Sequence, residues 1–213
     1  MTALDLSSIK SICFIGAHSD DIEIGCGGLL LSIAASRPDI SISWNVFSGG
    51  QSIREQEASF GLSLFTLPTQ LVQHKIHAFQ DGHFPSHFAA IKSEFEALKA
   101  THFDLILTHY RYDRHQDHKT LSDLAYNTWR NHMILEYEII KYDGDLGNPN
   151  IYLPLSKEQM EAKADKLMQA FGSQRSKNWF DKDTFSGLAR LRGVECQSKF
   201  AEAFHLRKAT VKL

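Results

Sequence analysis

The sequence is poor in cysteine, in net charge and in long apolar runs. Its three cysteines, Cys13, Cys26 and Cys196, include no CxxC pair, which excludes a disulfide framework and predicts a reducing compartment. The formal net charge of −2 offers no basic face, so we expect no nucleic-acid partner. No apolar run is long enough to predict a membrane-spanning helix, and the first ten residues do not resemble a signal peptide. These absences together predict a cytoplasmic protein.

Apolar runs typical of buried strands alternate along the chain with helical patterns. Strands are predicted at residues 11–17, 40–47, 75–79, 104–109 and 135–142, with a turn at glycines 25, 27 and 28 before the first helix. The intervening helices are predicted at residues 29–36, 53–64, 87–100, 117–129 and 156–171. This alternation predicts an α/β fold, a doubly wound, mostly parallel sheet flanked by helices. A length of 213 residues fits one domain spanning residues 1–213.

Two short segments rich in histidine and aspartate directly follow two of these strands. They are AHSDDIEIGCGG, from Ala17 to Gly28, and HYRYDRHQDHKTL, from His109 to Leu121. Because the carboxyl ends of parallel strands share one edge of a sheet, we expect the two segments to meet in space. Histidines and carboxylates that converge there match a catalytic zinc site, which needs three protein ligands and a fourth position for water.

Each segment alone also has a simpler interpretation. Asp20 and Asp21 could cap a helix, and the second cluster could be a polar surface loop. Neighbouring aspartates in a turn point different ways, however, so one can bind a metal while the other acts as a base. Asp117 lies between His115 and His118 and could orient either imidazole. The remaining histidines outside the two segments are expected to be structural or solvated: His74, His77, His83, His87, His102, His132 and His205.

The two segments resemble the motifs of a known enzyme family. AHSDDIEIGCGG is similar to the AHPDDxE-type motif of the PIG-L/LmbE family of N-acetylglucosaminyl deacetylase-like proteins, and RHQDHKTL resembles its HxDH motif. SGGQSIREQE resembles the family's Gly-rich turn followed by R-x-x-E, and KFAEAF its closing segment. The resemblance implies zinc ligands His18, Asp21 and His118, a general base Asp20, an oxyanion donor His115 and an orienting residue Asp117.

The resemblance also implies a reaction: zinc-dependent hydrolysis of an N-acetyl or related N-acyl group on an amino sugar or sugar conjugate. Arg54 could contact a hydroxyl or phosphate of that small-molecule substrate, or form a surface ion pair with Glu57. The chain departs from the family pattern at Ser19, where proline is usual, and at Phe171, where many members have histidine. The loop at residues 74–87 has no clear match.

Other functions fit the sequence less well. A dinucleotide site is disfavoured because the glycine spacing misses G-x-G-x-x-G. A His-Asp phosphohydrolase would be helical, and Cys26 has no identifiable base beside it. Hydrolysis of a non-sugar amide, a non-catalytic zinc-binding module and a homo-oligomeric assembly stay open.

Overall fold

The centre of the fold is a set of parallel strands whose side chains are buried on both faces. In the computed structural model, which describes residues 3–211, the strands are β1 (Ser11–Gly16), β2 (Ser41–Ser48), β3 (Leu71–Phe79), β4 (Leu105–His109), β5 (Met133–Tyr137), β6 (Ile151–Leu155) and β7 (Phe200–Leu206). Their order in the sheet is β3-β2-β1-β4-β5-β7-β6. Strands β1 to β5 are parallel, and β7 runs antiparallel to β5 and β6. The predicted doubly wound, mostly parallel α/β sheet is confirmed.

Helices cover both faces of this sheet. They are α1 (Asp21–Ser36), α2 (Ile53–Phe65), α3 (Phe88–Leu98), α4 (Gln116–Thr128), α5 (Lys157–Ala170) and α6 (Lys182–Glu195). Helices α1, α2, α5 and α6 pack on one face, around a core that includes Trp44 and Phe65. Helices α3 and α4 pack on the other face, around Phe95 and Trp129. None of the helices in the described part of the chain is long and apolar enough to cross a membrane.

The start of α1 corrects the prediction of a turn at glycines 25, 27 and 28. The helix begins at Asp21 and runs through all three glycines. They serve close packing, because a Cβ on Gly25 would collide with the ring of Tyr137, and one on Gly28 with the side chains of Leu155 and Glu202. In consequence Asp20 and Asp21 lie at the amino end of a helix, where backbone N–H groups and the helix dipole favour negative charge.

The carboxyl end of the chain departs further from the prediction. Strand β5 ends at Tyr137 and not at residue 142, while β6, α6 and β7 were not predicted. The pattern of β6 is hard to read because this strand contains Pro154 and lies at the edge of the sheet, where Leu155 alone of its five residues is buried.

The sheet order places the two predicted site segments side by side. From β1 the chain moves outward through β2 to β3, then returns to add β4 on the other side of β1. The crevice at such a switch point is where open α/β sheets form their sites. His18 follows β1 and His118 follows β4, so both lie at this crevice.

Candidate active site

Three side-chain atoms from the two segments converge at the switch point. His18 Nδ1 lies 3.1 Å from His118 Nε2 and 3.3 Å from Asp21 Oδ2, and His118 Nε2 lies 3.5 Å from the same oxygen. A tetrahedral zinc with bonds of about 2.0–2.2 Å has its ligand atoms about 3.3–3.6 Å apart. Two of the three distances lie in this range and the third, 3.1 Å, is slightly shorter, so the three atoms are close enough to share one metal ion.

The outer nitrogens of the two imidazoles face carboxylates. His18 Nε2 lies 2.9 Å from Asp81 Oδ1 and donates to Asp117 Oδ2 at 3.3 Å, and His118 Nδ1 donates to Asp113 Oδ2 at 2.9 Å. The inner nitrogens, His18 Nδ1 and His118 Nε2, face each other across 3.1 Å. A positive charge between them, a proton or a metal ion, satisfies both lone pairs, so this position suits a cation.

The electrostatics of the crevice also favour a cation. Burial lowers the pKa of His18, but Asp21 and hydrogen bonds to the surrounding carboxylates outweigh it and raise this pKa well above the usual value. Burial raises the pKa of Asp21, but the charges of His118, His18 and His109 outweigh it and hold this pKa well below the usual range. An ionised Asp21 beside two ring nitrogens is the donor set that zinc binds.

Asp113 is a functional residue that the sequence analysis missed. Its Oδ2 accepts from His118 Nδ1 and from Lys141 Nζ, at 2.9 and 3.0 Å, and its Oδ1 accepts from the backbone N–H of His115 at 2.8 Å. Burial raises the pKa of Asp113, but the hydrogen bond to His118 and the charges of His118, His109 and Lys141 outweigh it and lower this pKa. A carboxylate on the outer nitrogen of a metal-binding histidine fixes the tautomer that can bind the metal. Its position five residues before His118 is the signal that could have identified it.

Asp117 contacts a different histidine from the one predicted. Its carboxylate accepts from the backbone N–H groups of Gly82 and Phe84, at 2.6 and 3.0 Å, and lies against His18 Nε2. The contact with His115 is made by the backbone N–H of Asp117, which donates to His115 Nδ1 at 3.3 Å. The predicted orienting role toward His115 therefore belongs to the Asp117 main chain, and the carboxylate instead holds His18 and the 80–84 loop.

The same loop supplies Asp81, which no sequence signal identified. Its side chain is 73% exposed, yet its Oδ1 lies within hydrogen-bond distance of His18 Nε2. Hydrogen bonding to His18 lowers the pKa of Asp81 to about 2. The turn depends on Gly82, whose φ of +78° lies in the left-handed region that favours glycine.

His115 lies at the amino end of α4 and lines the crevice. Its Nδ1 accepts the hydrogen bond from Asp117 and caps the helix, so its Nε2 carries the proton in the neutral ring. Its ring centroid lies 4.8 Å from that of His18 and 4.6 Å from that of His118. His115 thus stands beside the candidate metal position with a ring N–H available to a ligand.

Asp20 faces the same crevice and is paired with Arg54. Arg54 Nη2 donates to Asp20 Oδ1 at 2.6 Å, while Arg54 Nη1 reaches Glu57 at 3.4 Å and Ser173 Oγ at 3.1 Å. Burial raises the pKa of Asp20 and the positive charge of Arg54 opposes it, with a net upward shift. Arg54 is therefore part of the site's own charge network rather than a surface partner of Glu57 alone.

A further histidine, His109, lies close enough to Asp21 and His118 to compete with His18 as a metal ligand. Its Nε2 is 3.4 Å from Asp21 Oδ2, but it already accepts the backbone N–H of Ala17 at 2.9 Å. The ring is fully buried, and burial, with the charge of His118, lowers its pKa well below the usual value. His109 therefore holds the backbone of Ala17, directly after β1, and its occupied Nε2 leaves His18 as the better candidate ligand.

A cavity of about 610 Å³ opens above these groups. All five parallel strands contribute to its wall through the segments at their carboxyl ends. Besides His18, Asp21 and His118, its lining includes Asp20, Arg54, Asp81, His115, Lys141, Tyr142, Lys177 and Trp179. Cys26 is fully buried and does not line it, and burial raises the pKa of its thiol well above the usual value. A cysteine nucleophile is therefore excluded.

Several solved structures share this fold. The chain superposes on N,N'-diacetylchitobiose deacetylase from Pyrococcus horikoshii with a TM-score of 0.74 and 17% identity, over 94% of this chain and 84% of that one. A deacetylase of the teicoplanin biosynthesis pathway gives 0.72 and 14%, over 92% and 97%. The 4-carboxy-2-hydroxymuconate hydratase of Pseudomonas putida KT2440 gives 0.69 and 15%, over 96% and 99%. At these identities the likeness establishes the shared fold.

Sequence comparison is more specific. No curated protein is significantly similar to the chain. A family model described as PIG-L, GlcNAc-PI de-N-acetylase, matches residues 13–129, more than half of the chain, including both motif segments. The match confirms the resemblance and the deacetylase class of enzyme. The chain belongs to the PIG-L family.

Proposed function

We propose that the chain is a zinc-dependent N-deacetylase that hydrolyses the acetamide of an N-acetylated amino sugar or sugar conjugate. One observation carries the proposal. Three candidate ligand atoms lie 3.1–3.5 Å apart in one crevice. The same crevice contains the carboxylate of Asp20 and the imidazole of His115, which are not required to bind the metal. A purely structural zinc site is closed by four protein ligands and has no use for Asp20 or His115.

In this proposal His18, Asp21 and His118 hold the zinc. When bound, zinc supplies a Lewis acid that polarises the amide carbonyl and acidifies a water molecule. Asp81, Asp113 and Asp117 hold the two histidines in the tautomers that present free nitrogens. These carboxylates therefore determine the site's affinity for metal rather than the chemical step itself.

Asp20 acts as the general base. It accepts a proton from the attacking water and returns it to the departing amine nitrogen. Arg54 occupies Asp20 Oδ1, so the second carboxylate oxygen is the one that meets the water. The buried position keeps the Asp20 pKa above that of an exposed aspartate, which makes the carboxylate a stronger base.

His115 stabilises the transition state. With its Nδ1 occupied by the Asp117 N–H, its Nε2–H is the free donor, and we assign it to the carbonyl oxygen as negative charge develops there. A donor fixed before the reaction loses little reorganisation energy when the charge appears. The α4 amino end adds a favourable dipole in the same place.

The substrate class follows from the family and from the cavity. The name of one structural relative identifies it as a deacetylase of N,N'-diacetylchitobiose, an N-acetylated sugar. The cavity volume of about 610 Å³ lies within the range of about 300–1,000 Å³ typical of small-molecule sites. Cytoplasmic localisation, a single domain and homo-oligomerisation stay predictions.

The proposal is tested by acetate release with the zinc-loaded protein on N-acetylated amino sugars, sugar conjugates and N-acetyl amino acids. We expect turnover on at least one sugar, loss of turnover after complete chelation, and recovery on adding zinc. Full activity of the demetallated protein would overturn the metal assignment. Turnover confined to N-acetyl amino acids would show that the substrate is a non-sugar amide. Zinc binding without turnover on any of these compounds would show that the chain is a non-catalytic zinc-binding module.

A further inference from the structure

The wall of the cavity beside Asp20 is built by the segment between α5 and α6. Ser173 in this segment donates to Glu57 twice, from its backbone N–H at 2.7 Å and from its hydroxyl at 2.6 Å. Arg54 Nη1 donates to the same hydroxyl at 3.1 Å. One network thus joins Asp20, Arg54, Glu57 and Ser173, and it fixes the segment relative to the general base.

Beyond Ser173 the segment turns an ammonium group and an aromatic ring toward the cavity. Lys177 and Trp179 both line it, and the Lys177 Nζ lies 5.4 Å from the centroid of the Trp179 ring. Tyr142, from the segment after β5, meets Trp179 edge to face at 6.5 Å. Both rings are partly solvent-accessible, with Tyr142 72% exposed. An exposed aromatic pair at a cavity rim is a surface on which the apolar face of a sugar ring packs.

Lys177 differs from the other cations of the cavity because its charge is not neutralised. Arg54 is paired with Asp20 and Glu57, and Lys141 with Asp113 and Asp145. Among residues 3–211, no carboxylate oxygen lies within 4.0 Å of Lys177 Nζ.

The proposed reaction fixes which part of the substrate meets this wall. Asp20 returns its proton to the amine nitrogen, so the sugar that carries this nitrogen must lie on the Asp20 side of the crevice. The acetyl carbonyl then points toward His115. The sugar and its substituents therefore extend along Tyr142, Lys177 and Trp179.

We propose that Tyr142, Lys177 and Trp179, which we call the anion subsite, bind the sugar portion of the substrate. In this proposal the sugar portion carries an anionic substituent that binds to the ammonium group of Lys177. The inference rests on the proposed function for the orientation of the substrate. A phosphate and a carboxylate are both anions that an ammonium group binds. Asp143 also lines the cavity and has no cation within 4.0 Å in the described part of the chain, so its charge opposes a bound anion.

The test compares matched substrates on the zinc-loaded protein: methyl N-acetyl-α-glucosaminide, its carboxymethyl analogue and N-acetylglucosamine 1-phosphate. We expect kcat/KM to be about tenfold higher for at least one anionic substrate, the gain of one charge-assisted hydrogen bond. The better of the two identifies the anion. Lys177→Met should remove the preference, Lys177→Arg should keep it, and Asp143→Asn should increase it. Trp179→Ala should raise KM for all three.

Lys199→Met is the matched control, because Lys199 also lies over an aromatic ring, Phe200, but does not line the cavity. It should keep the wild-type preference. Turnover without an anion preference, or a preference that survives Lys177→Met, overturns the inference and leaves the proposed function intact.

Calorimetric binding of the corresponding amine products provides a readout that does not require turnover. Tighter binding of glucosamine 1-phosphate than of methyl glucosaminide, lost in Lys177→Met, would support the subsite even if no acetate were released, and only the proposed reaction would then fail. Equal binding of both products in the wild type would overturn the subsite.

Discussion

Replacement of Asp113 by asparagine should weaken zinc binding although Asp113 is not a ligand. The wild-type carboxylate accepts from His118 Nδ1, which forces the lone pair onto Nε2, the atom that faces His18 and Asp21. In Asp113→Asn the amide oxygen can remain with the His115 N–H, which presents the NH₂ group to His118 Nδ1. An NH₂ donor there favours the tautomer with the proton on Nε2, and that tautomer cannot bind the metal. Loss of such an outer contact typically weakens metal affinity about 10- to 100-fold, or about 1.4–2.7 kcal/mol.

Competition with a chromogenic chelator measures this affinity directly. Asp145→Asn is the control, because Asp145 contacts Lys141 at 2.6 Å as Asp113 does at 3.0 Å, but it does not touch His118. We expect the control to bind zinc nearly as the wild type does. Circular dichroism checks that both variants are folded. A folded Asp113→Asn protein with wild-type zinc affinity would refute the assignment of His118 Nε2 as a ligand held by Asp113.

Three other perturbations separate the roles of the site residues and of one buried histidine. Asp20→Asn should retain zinc and lose about 100- to 10,000-fold in turnover, the usual contribution of a general base; zinc loss in this variant would make Asp20 a ligand. His115→Ala should keep its zinc and its KM while kcat falls about 100- to 1,000-fold. His118→Ala should instead lose the metal. Zinc content and single-turnover rates, measured on both variants, distinguish a transition-state donor from a metal ligand. Burial, with the charge of Lys75, lowers the pKa of His77 to about 4. Between about pH 6.5 and 4 His77 therefore binds a proton in the unfolded chain but not in the folded chain. The free energy of unfolding should fall as the pH is lowered through this range. His77→Phe should flatten this fall in urea denaturation, and an unchanged slope would contradict the assignment.

The local sequence pattern was sufficient to predict the parallel strands of the sheet and the residues closest to the candidate metal position. Strands β1, β2 and β4 are short apolar runs buried on both faces, so their positions could be predicted to within a residue or two. His18 lies just after β1, and His118 lies in the first turn of α4, the helix that follows β4. Because parallel strands end at one edge, the meeting of the two segments could be expected without any structure.

The outer groups of the site could not be predicted, because they depend on tertiary contacts. Asp81 reaches His18 only through the turn at Gly82, which the Asp117 carboxylate holds by two backbone N–H groups 33 and 35 residues away in sequence. Arg54 could be placed near the crevice, but its pairing with Asp20 depends on how α2 packs against α1. The glycines of α1 gave a false signal, since glycine marks close packing as well as turns.

The arrangement of charge explains why the outer carboxylates and the metal position belong together. Arg54 neutralises Asp20 and Lys141 neutralises Asp113, but no lysine or arginine within the described ranges contacts Asp21, Asp81 or Asp117 within 4.0 Å. Burial lowers the pKa of the His18 imidazole, but these three carboxylates surround it and raise this pKa well above the usual value. They also repel one another in a crevice of low dielectric. A divalent cation held by His18, Asp21 and His118 would offset most of that charge, and it would make the His18 Nε2–H a stronger donor to Asp81 and Asp117. The carboxylates around His18 therefore also supply a negative potential that favours a cation at the candidate metal position.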